Sequence, residues 1–159
     1  MLSARSTALL RTTACAVLTF LSASLHAQVT VKDPWVRGTV VGQKATGAFL
    51  HITSTEALRL VEAKSGAAKI VEIHEMRMEG DRMMMQAVPG LDLVPGKTLE
   101  LKPGGYHVML IDVVKPLNAG DKVPLTLVLE GKDKKRIQVD VSAEVRALNA
   151  RPAAQQHQH

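Results

Sequence analysis

The chain has 159 residues, of which 46% are hydrophobic and 22% charged, a composition typical of one globular domain. Its net charge of +5 falls to +3 without residues 1–27, which carry Arg5 and Arg11, and so small an excess indicates neither nucleic acid nor a membrane surface as partner. The single cysteine, Cys15, lies in the same segment. Residues 28–159 contain no cysteine, which excludes disulfides, zinc–thiolate sites, iron–sulfur clusters and blue-copper sites there.

Residues 1–27 have the layout of a secretory signal peptide. They contain no acidic side chain, begin with a basic region, and then run apolar from Thr12 to Ala23 before the small residue Ala27. This run is shorter than the roughly 20 residues that a membrane-spanning helix needs, so we expect no stable membrane insertion. We predict export with cleavage after Ala27. A lipid anchor at Cys15 is disfavoured because the apolar run continues past that cysteine.

From residue 28 to 148 the chain consists of short β-branched runs separated by Gly, Pro and Asp, with no long stretch of helical periodicity. Seven or eight strands are predicted, at 29–37, 46–53, 69–78, 83–88, 98–102, 106–113, 123–130 and 136–145. Residues 55–68 are left open as a strand, a helical turn or a loop. The pattern predicts an all-β domain, an antiparallel β-sandwich with Greek-key connections.

Alternation within these runs separates a core face from a solvent face. One face of each of the last two runs is uniformly apolar, with Leu125, Leu127 and Leu129 on one and Ile137, Val139 and Val141 on the other. Because aromatic residues are scarce, the core is predicted to be aliphatic, with Trp35 and Phe49 lying between the sheets. The domain is predicted at 28–148, and the polar segment 149–159 is predicted to be a flexible tail.

Methionine is concentrated in one part of the chain. The six methionines that follow residue 27 all lie between positions 76 and 109, and five of them lie between 76 and 85. A two-residue primed turn at Gly80-Asp81 predicts the cross-strand pairs Met78 with Met83, Met76 with Met85, and His74 with Ala87. With the period of two in a strand, all of these side chains project from one face. Met84 faces the other way and is predicted to lie in the core.

His107 and Met109 are two residues apart and share one face of a later strand. The opposite face is the natural core face, with Tyr106, Val108 and Leu110. We therefore predict that His107 and Met109 face outward or toward a rim. If this strand approaches the hairpin, two imidazoles and two thioethers converge.

Thioether sulfur selects Cu(I), and imidazole suits copper as well. Zinc and iron rarely use methionine, while calcium and magnesium prefer oxygen ligands. From the clustering alone, an apolar methionine edge with two ordinary surface histidines is an equally good interpretation.

The spacing of four of these residues resembles the motif of the periplasmic copper chaperone family PCu(A)C. Ten residues separate His74 from Met85, twenty-one separate Met85 from His107, and one separates His107 from Met109. Flanking segments that also resemble the family are Asp33-Pro34-Trp35-Val36-Arg37, His74-Glu75-Met76, Pro103-Gly104-Gly105-Tyr106-His107-Val108-Met109-Leu110, Pro116-Leu117 and Gly120-Asp121.

The resemblance implies a cupredoxin-like β-sandwich that binds one Cu(I) near its surface. The implied ligands are His74, Met85, His107 and Met109. It further implies a periplasmic carrier that delivers copper to the CuA centre of cytochrome c oxidase subunit II or to a Sco-type assembly protein. We expect a monomer without enzymatic activity. Met76, Met78 and Met83 lie outside the motif and either border the metal or only shield the site.

Some members of the family carry longer tails rich in His and Met that bind Cu(II). Here His157 and His159 would form at most a weak Cu(II) site, and an inert tail is the favoured interpretation.

Other functions remain open at this point. One is passive copper buffering for resistance, and another is a secreted β-sandwich interaction module whose methionine edge binds a protein. A copper enzyme using the same ligands is a third. Catalysis has little support, because the chain shows no nucleophile triad, no paired carboxylates in a motif and no phosphate-binding glycine loop.

Overall fold

A computed structural model describes residues 29–148, so the predicted signal peptide and tail lie outside the described residues. Within this range every regular element is a β-strand. In chain order the strands are β1 (Val29–Arg37), β2 (Ala45–Ser54), β3 (Leu58–Lys64), β4 (Ala68–Glu79), β5 (Arg82–Ala87), β6 (Leu91–Leu93), β7 (Thr98–Leu101), β8 (Tyr106–Val113), β9 (Lys122–Gly131) and β10 (Arg136–Arg146). The described range holds no helix that is long and apolar enough to cross a membrane.

The eight predicted runs are all strands, and their ends differ from the observed bounds by a single residue at most. The open segment 55–68 contains β3. The short strand β6 was not predicted, because three residues are too few to show a period. The prediction of an all-β domain is therefore confirmed.

The strands hydrogen-bond in the order β5-β4-β8-β2-β1-β10-β9-β3-β6, and β7 pairs with β2 beyond the end of β8. Strands from both halves of this order contribute to one core cluster, so the sheet curls and its two halves face each other as a sandwich. The pairs are antiparallel with one exception in the described chain. β1 and β10 run parallel where Trp35 lies beside Glu144 and Arg37 beside Arg146.

The core is aliphatic, as predicted. Its fully buried side chains come from both halves of the sandwich and include Leu50, Ile52, Leu60, Val108, Leu110, Leu125, Leu127 and Leu129. Val108 and Leu110 confirm the predicted core face of β8. The opposite face of β8 is therefore turned away from the aliphatic cluster.

Trp35 and Phe49 do not join this cluster, and the prediction that they lie between the sheets is wrong. Their strand neighbours Val36, Ala48 and Leu50 belong to the core, so alternation turns both rings to the outer face of β1 and β2. The two residues lie opposite each other across the strand pair, with ring centroids 4.5 Å apart. Each ring is nevertheless buried, at 4% exposure.

Two arginines cover this outer aromatic pair. The Arg146 guanidinium lies 5.2 Å from the Trp35 ring centroid, and that of Arg37 lies 5.6 Å from the Phe49 centroid. Both distances are within the range of cation–π attraction. Arg146 is also paired with Asp33. The long side chains thus give the aromatic rings a cover that sequence alternation alone does not reveal.

The prediction that Met84 lies in the core is also wrong. β5 is an edge strand, every residue in it is exposed, and Met84 is 43% exposed. The tip of the β4–β5 hairpin extends past the body of the sheet, so neither of its faces is covered by the second layer.

Replacement of a core leucine should therefore cost far more than replacement of this methionine. We expect Leu127→Ala, at a site with 0% exposure, to lower the free energy of unfolding by about 2–5 kcal/mol through lost burial and a residual cavity. Met84→Ala should change it by less than about 0.5 kcal/mol. Urea denaturation of both variants measures the difference, and equal losses would contradict this description of the core.

Candidate metal centre

The β4–β5 hairpin has the predicted register. Gly80 adopts a φ of 61°, the left-handed conformation that a two-residue primed turn requires at this position. The pairs Met78–Met83, Met76–Met85 and His74–Ala87 are all confirmed. One face of the hairpin therefore carries His74 and four of the methionines.

β8 pairs with the other edge of β4, and the register places His107 directly opposite His74. The centroids of the two imidazole rings are 5.9 Å apart. Met109 follows on the same face and lies opposite Gly47 of β2. Three adjacent strands thus bring the two histidines and Met85 and Met109 onto one face of the sheet.

The prediction that His107 faces outward or toward a rim needs correction. It does turn away from the aliphatic core, but it is buried, with 4% exposure. The reason is the outer aromatic pair, since the centroid of the Phe49 ring lies 6.2 Å from that of His107. Gly47 leaves room for this ring, because a Cβ at position 47 would lie 2.7 Å from the Phe49 Cζ atom.

A cavity of about 300 Å³ opens on this face. Three of the four predicted ligands, Met85, His107 and Met109, line it. Met76 is a further thioether in the wall. The fourth predicted ligand, His74, does not line the cavity but adjoins it through its contact with His107.

The hydrogen bond of His107 determines which of its nitrogens is free. Nδ1 lies 3.0 Å from the Gly105 carbonyl oxygen. In the neutral imidazole, Nδ1–H donates to that oxygen and Nε2 keeps its lone pair. Burial lowers the pKa of His107, the positive charges of His74 and Arg37 lower it further, and the Gly105 hydrogen bond opposes them. The lowered pKa favours the neutral ring, the form that binds a metal.

His74 has the complementary arrangement. Its Nε2 lies 2.8 Å from a carboxylate oxygen of Glu72, so in the neutral imidazole Nε2–H donates to Glu72 and Nδ1 keeps the lone pair. Nδ1 is buried and has no hydrogen-bond partner. A buried nitrogen without a hydrogen-bond partner is uncommon in proteins, and binding of a metal would explain it here. Glu72 supports this explanation, because histidines that bind metals usually donate their other ring N–H to a carboxylate or a similar acceptor.

The donor set fits a soft monovalent metal. Two imidazole nitrogens with free lone pairs and two thioethers suit Cu(I). No group of three or more His, Cys, Asp or Glu that could hold a metal ion occurs in residues 29–148. The residues that are present therefore match copper better than zinc, calcium or magnesium.

Sequence reasoning missed four residues that shape the site: Arg37, Gly47, Phe49 and Glu72. Glu72 could have been found, because it is two residues from His74 and shares its face in any strand. The position of Gly47 and Phe49 depends on the pairing of β2 with β8, which no local pattern reveals. Arg37 lines the cavity, and its buried Nε has no hydrogen-bond partner.

Comparisons with known proteins agree with this geometry. Residues 29–141 match the family described as putative lipoprotein LpqE-like. A relative from Leifsonia xyli subsp. xyli, the putative lipoprotein Lxx21020, is 35% identical over 124 residues, which cover 75% of each chain.

Solved structures also resemble this chain. The apo PCuAC domain from PmoF1 has a TM-score of 0.58 at 24% identity, covering 77% of this chain and 99% of that one. The solution structure of apo-DR1885 from Deinococcus radiodurans has a TM-score of 0.54 at 26% identity, covering 91% and 95%. The CuI form of DR1885 has a TM-score of 0.52 at 26% identity, covering 74% and 76%. These similarities confirm the cupredoxin-like fold and the resemblance to PCu(A)C domains.

Burial of His107 has a consequence that NMR can measure in the metal-free protein. We expect the His107 ring to titrate below the ordinary histidine value of about 6.5. Because the folded pKa is the lower one, this residue contributes stability above about pH 6.5 that is lost as the pH falls through the folded pKa. Histidine ring resonances followed from pH 8 to 4 give the midpoint. A midpoint at or above the ordinary value would contradict the burial described.

Proposed function

The chain belongs to the LpqE-like family, and on that premise we propose that it is an extracytoplasmic copper carrier that binds one Cu(I) through His74, Met85, His107 and Met109. One observation carries the proposal. His74 and His107 lie opposite each other with one lone-pair nitrogen each, and Met85 and Met109 share a cavity wall with His107. No enzymatic step is needed for this role.

The relatives support copper as the cargo. DR1885, whose CuI form has been solved, has 26% identity with this chain and the same fold. An extracytoplasmic location agrees with the signal-peptide layout of residues 1–27 and with the description of the family and of the Leifsonia relative as putative lipoproteins. We place the protein in the periplasm.

The proposed ligands differ in exposure, and this indicates an order of release. Met85 lies on the edge strand β5 and is 46% exposed, whereas His107 is 4% exposed. An incoming ligand therefore reaches the copper most easily from the side of β5 and displaces the Met85 thioether first. The buried imidazole of His107 is the last ligand to leave. Stepwise exchange of this kind keeps copper bound throughout the transfer.

The acceptor that we propose is cytochrome c oxidase subunit II, at its CuA centre, or a Sco-type assembly protein. The support is the resemblance to the PCu(A)C family, together with a site that opens on one side. Passive copper buffering is the competing role. In that role the protein would retain its copper and would need no acceptor.

The ligand set can be tested with substitutions that keep the apolar volume but remove the sulfur. We expect Met85→Leu and Met109→Leu each to lower the affinity for Cu(I) by about tenfold or more, because a soft donor is lost from the shell. Met84→Leu, on the opposite face of the same strand, is the matched control and should leave the affinity unchanged. Competition with a chromogenic Cu(I) chelator measures all three. Unchanged affinity in both ligand variants would refute the site.

Delivery is tested separately from binding. We expect the Cu(I)-loaded protein to restore the CuA absorption of a copper-free subunit II domain, either directly with an oxidant supplied or after addition of a Sco-type protein. A loaded protein that keeps its copper in the presence of both acceptors would favour buffering over delivery.

A further inference from the structure

We propose that the tip of the β4–β5 hairpin carries a second and weaker Cu(I) site, formed by the thioethers of Met78 and Met83, which receives copper before it reaches the site at His107. The inference rests on the proposed function, because it concerns how that site is loaded.

Met78 and Met83 form a direct cross-strand pair, so their side chains leave the same face of the hairpin. The Cβ atoms of such a pair are about 4.5–5.5 Å apart. Each methionine has three rotatable bonds beyond its backbone, so both sulfurs can turn toward one ion. The side chains are 61% and 64% exposed, respectively, and an ion can reach them from solvent.

The next pair along the same face is Met76 with Met85, two residues from the first pair on each strand. This step corresponds to about 7 Å along a strand. Met76 and Met85 both line the cavity that contains His107. The four thioethers therefore form a continuous row from the hairpin tip to the cavity, which we call the methionine row (Met76, Met78, Met83 and Met85).

The strand positions between Met76 and Met85 carry no charged side chain on the face of the row. The charged side chains of the same hairpin segment alternate with the methionines and project from the other face: Glu75, Arg77, Glu79 and Arg82. From Met76 to Met85 the strand positions on this face therefore offer thioether sulfur and no carboxylate, and the carboxylate that shares the face, Glu72, lies beyond His74 at the far end of β4. Thioether sulfur selects Cu(I) and disfavours calcium, magnesium and zinc.

Burial does not explain the two methionines at the hairpin tip. Met78 and Met83 remain mostly exposed, so they gain little of the transfer free energy that places methionine in a core. Two thioethers alone also bind Cu(I) less tightly than a shell that includes two imidazoles. The difference gives the transfer a direction, from the tip toward His107.

Site-resolved binding provides the first test. The full-length processed protein, labelled with 13C at the methionine methyl groups, is titrated with Cu(I)-acetonitrile under nitrogen. We expect the first equivalent to shift Met85 and Met109, and further Cu(I) to shift Met78 and Met83 but not Met84.

The outcomes separate the two proposals. Shifts at Met85 and Met109 without any at the tip would overturn the second site and leave the proposed function intact. No shift at Met85 and Met109 would overturn the proposed function itself. A shift at Met84 as large as that at Met78 would show non-specific binding to exposed methionine and would also overturn the second site.

Loading kinetics provide the second test. The double variant Met78→Leu/Met83→Leu keeps the apolar surface and removes both sulfurs. We expect its final Cu(I) affinity to stay within about twofold of the unmodified protein, while uptake from a Cu(I)–chelator complex in stopped flow slows severalfold. Met84→Leu is the control and should load at the normal rate. An unchanged uptake rate in the double variant would overturn the receiving role.

Discussion

The antiparallel pairing of β4 with β8 places His74 opposite His107, and the rest of the site depends on that register. The next pair in the same ladder is Ile73 with Val108, which point the other way into the aliphatic core. A slip of β4 by one residue would turn Ile73 outward and His74 inward, at a large cost in burial free energy. The core therefore determines the geometry of the site, although the two share no side chain.

The environment of His107 is set by the outer aromatic pair, through Phe49. Phe49 closes the face beside the imidazole, and Arg37 covers Phe49 in turn. The charge of Arg37 contributes to lowering the pKa of His107. The positive charge of Arg37 would also repel any other cation beside His107, including Cu(I). This repulsion weakens retention of a bound metal, which agrees with the proposed role as a carrier.

Most of the fold could be predicted because it depends on local patterns. Alternation fixed the strand runs, and Gly80 fixed the hairpin register and with it the pairing of Met76 with Met85. The features that could not be predicted depend on which layer covers which face. His107 is buried because a phenylalanine from β2 reaches it, and Met84 is exposed because its strand lies at an edge. Neither the burial of His107 nor the exposure of Met84 can be predicted from the few residues that surround it in the sequence.

Alternation along β8 separates the residues that pack the core from those that face the cavity. Successive residues of this strand serve different purposes, with Val108 and Leu110 holding the sandwich together and His107 and Met109 facing the cavity. The two kinds of side chain lie on opposite faces of the sheet. A substitution at His107 or Met109 can therefore leave the core packing intact, whereas one at Val108 or Leu110 that shifts the strand would move the cavity-facing residues with it.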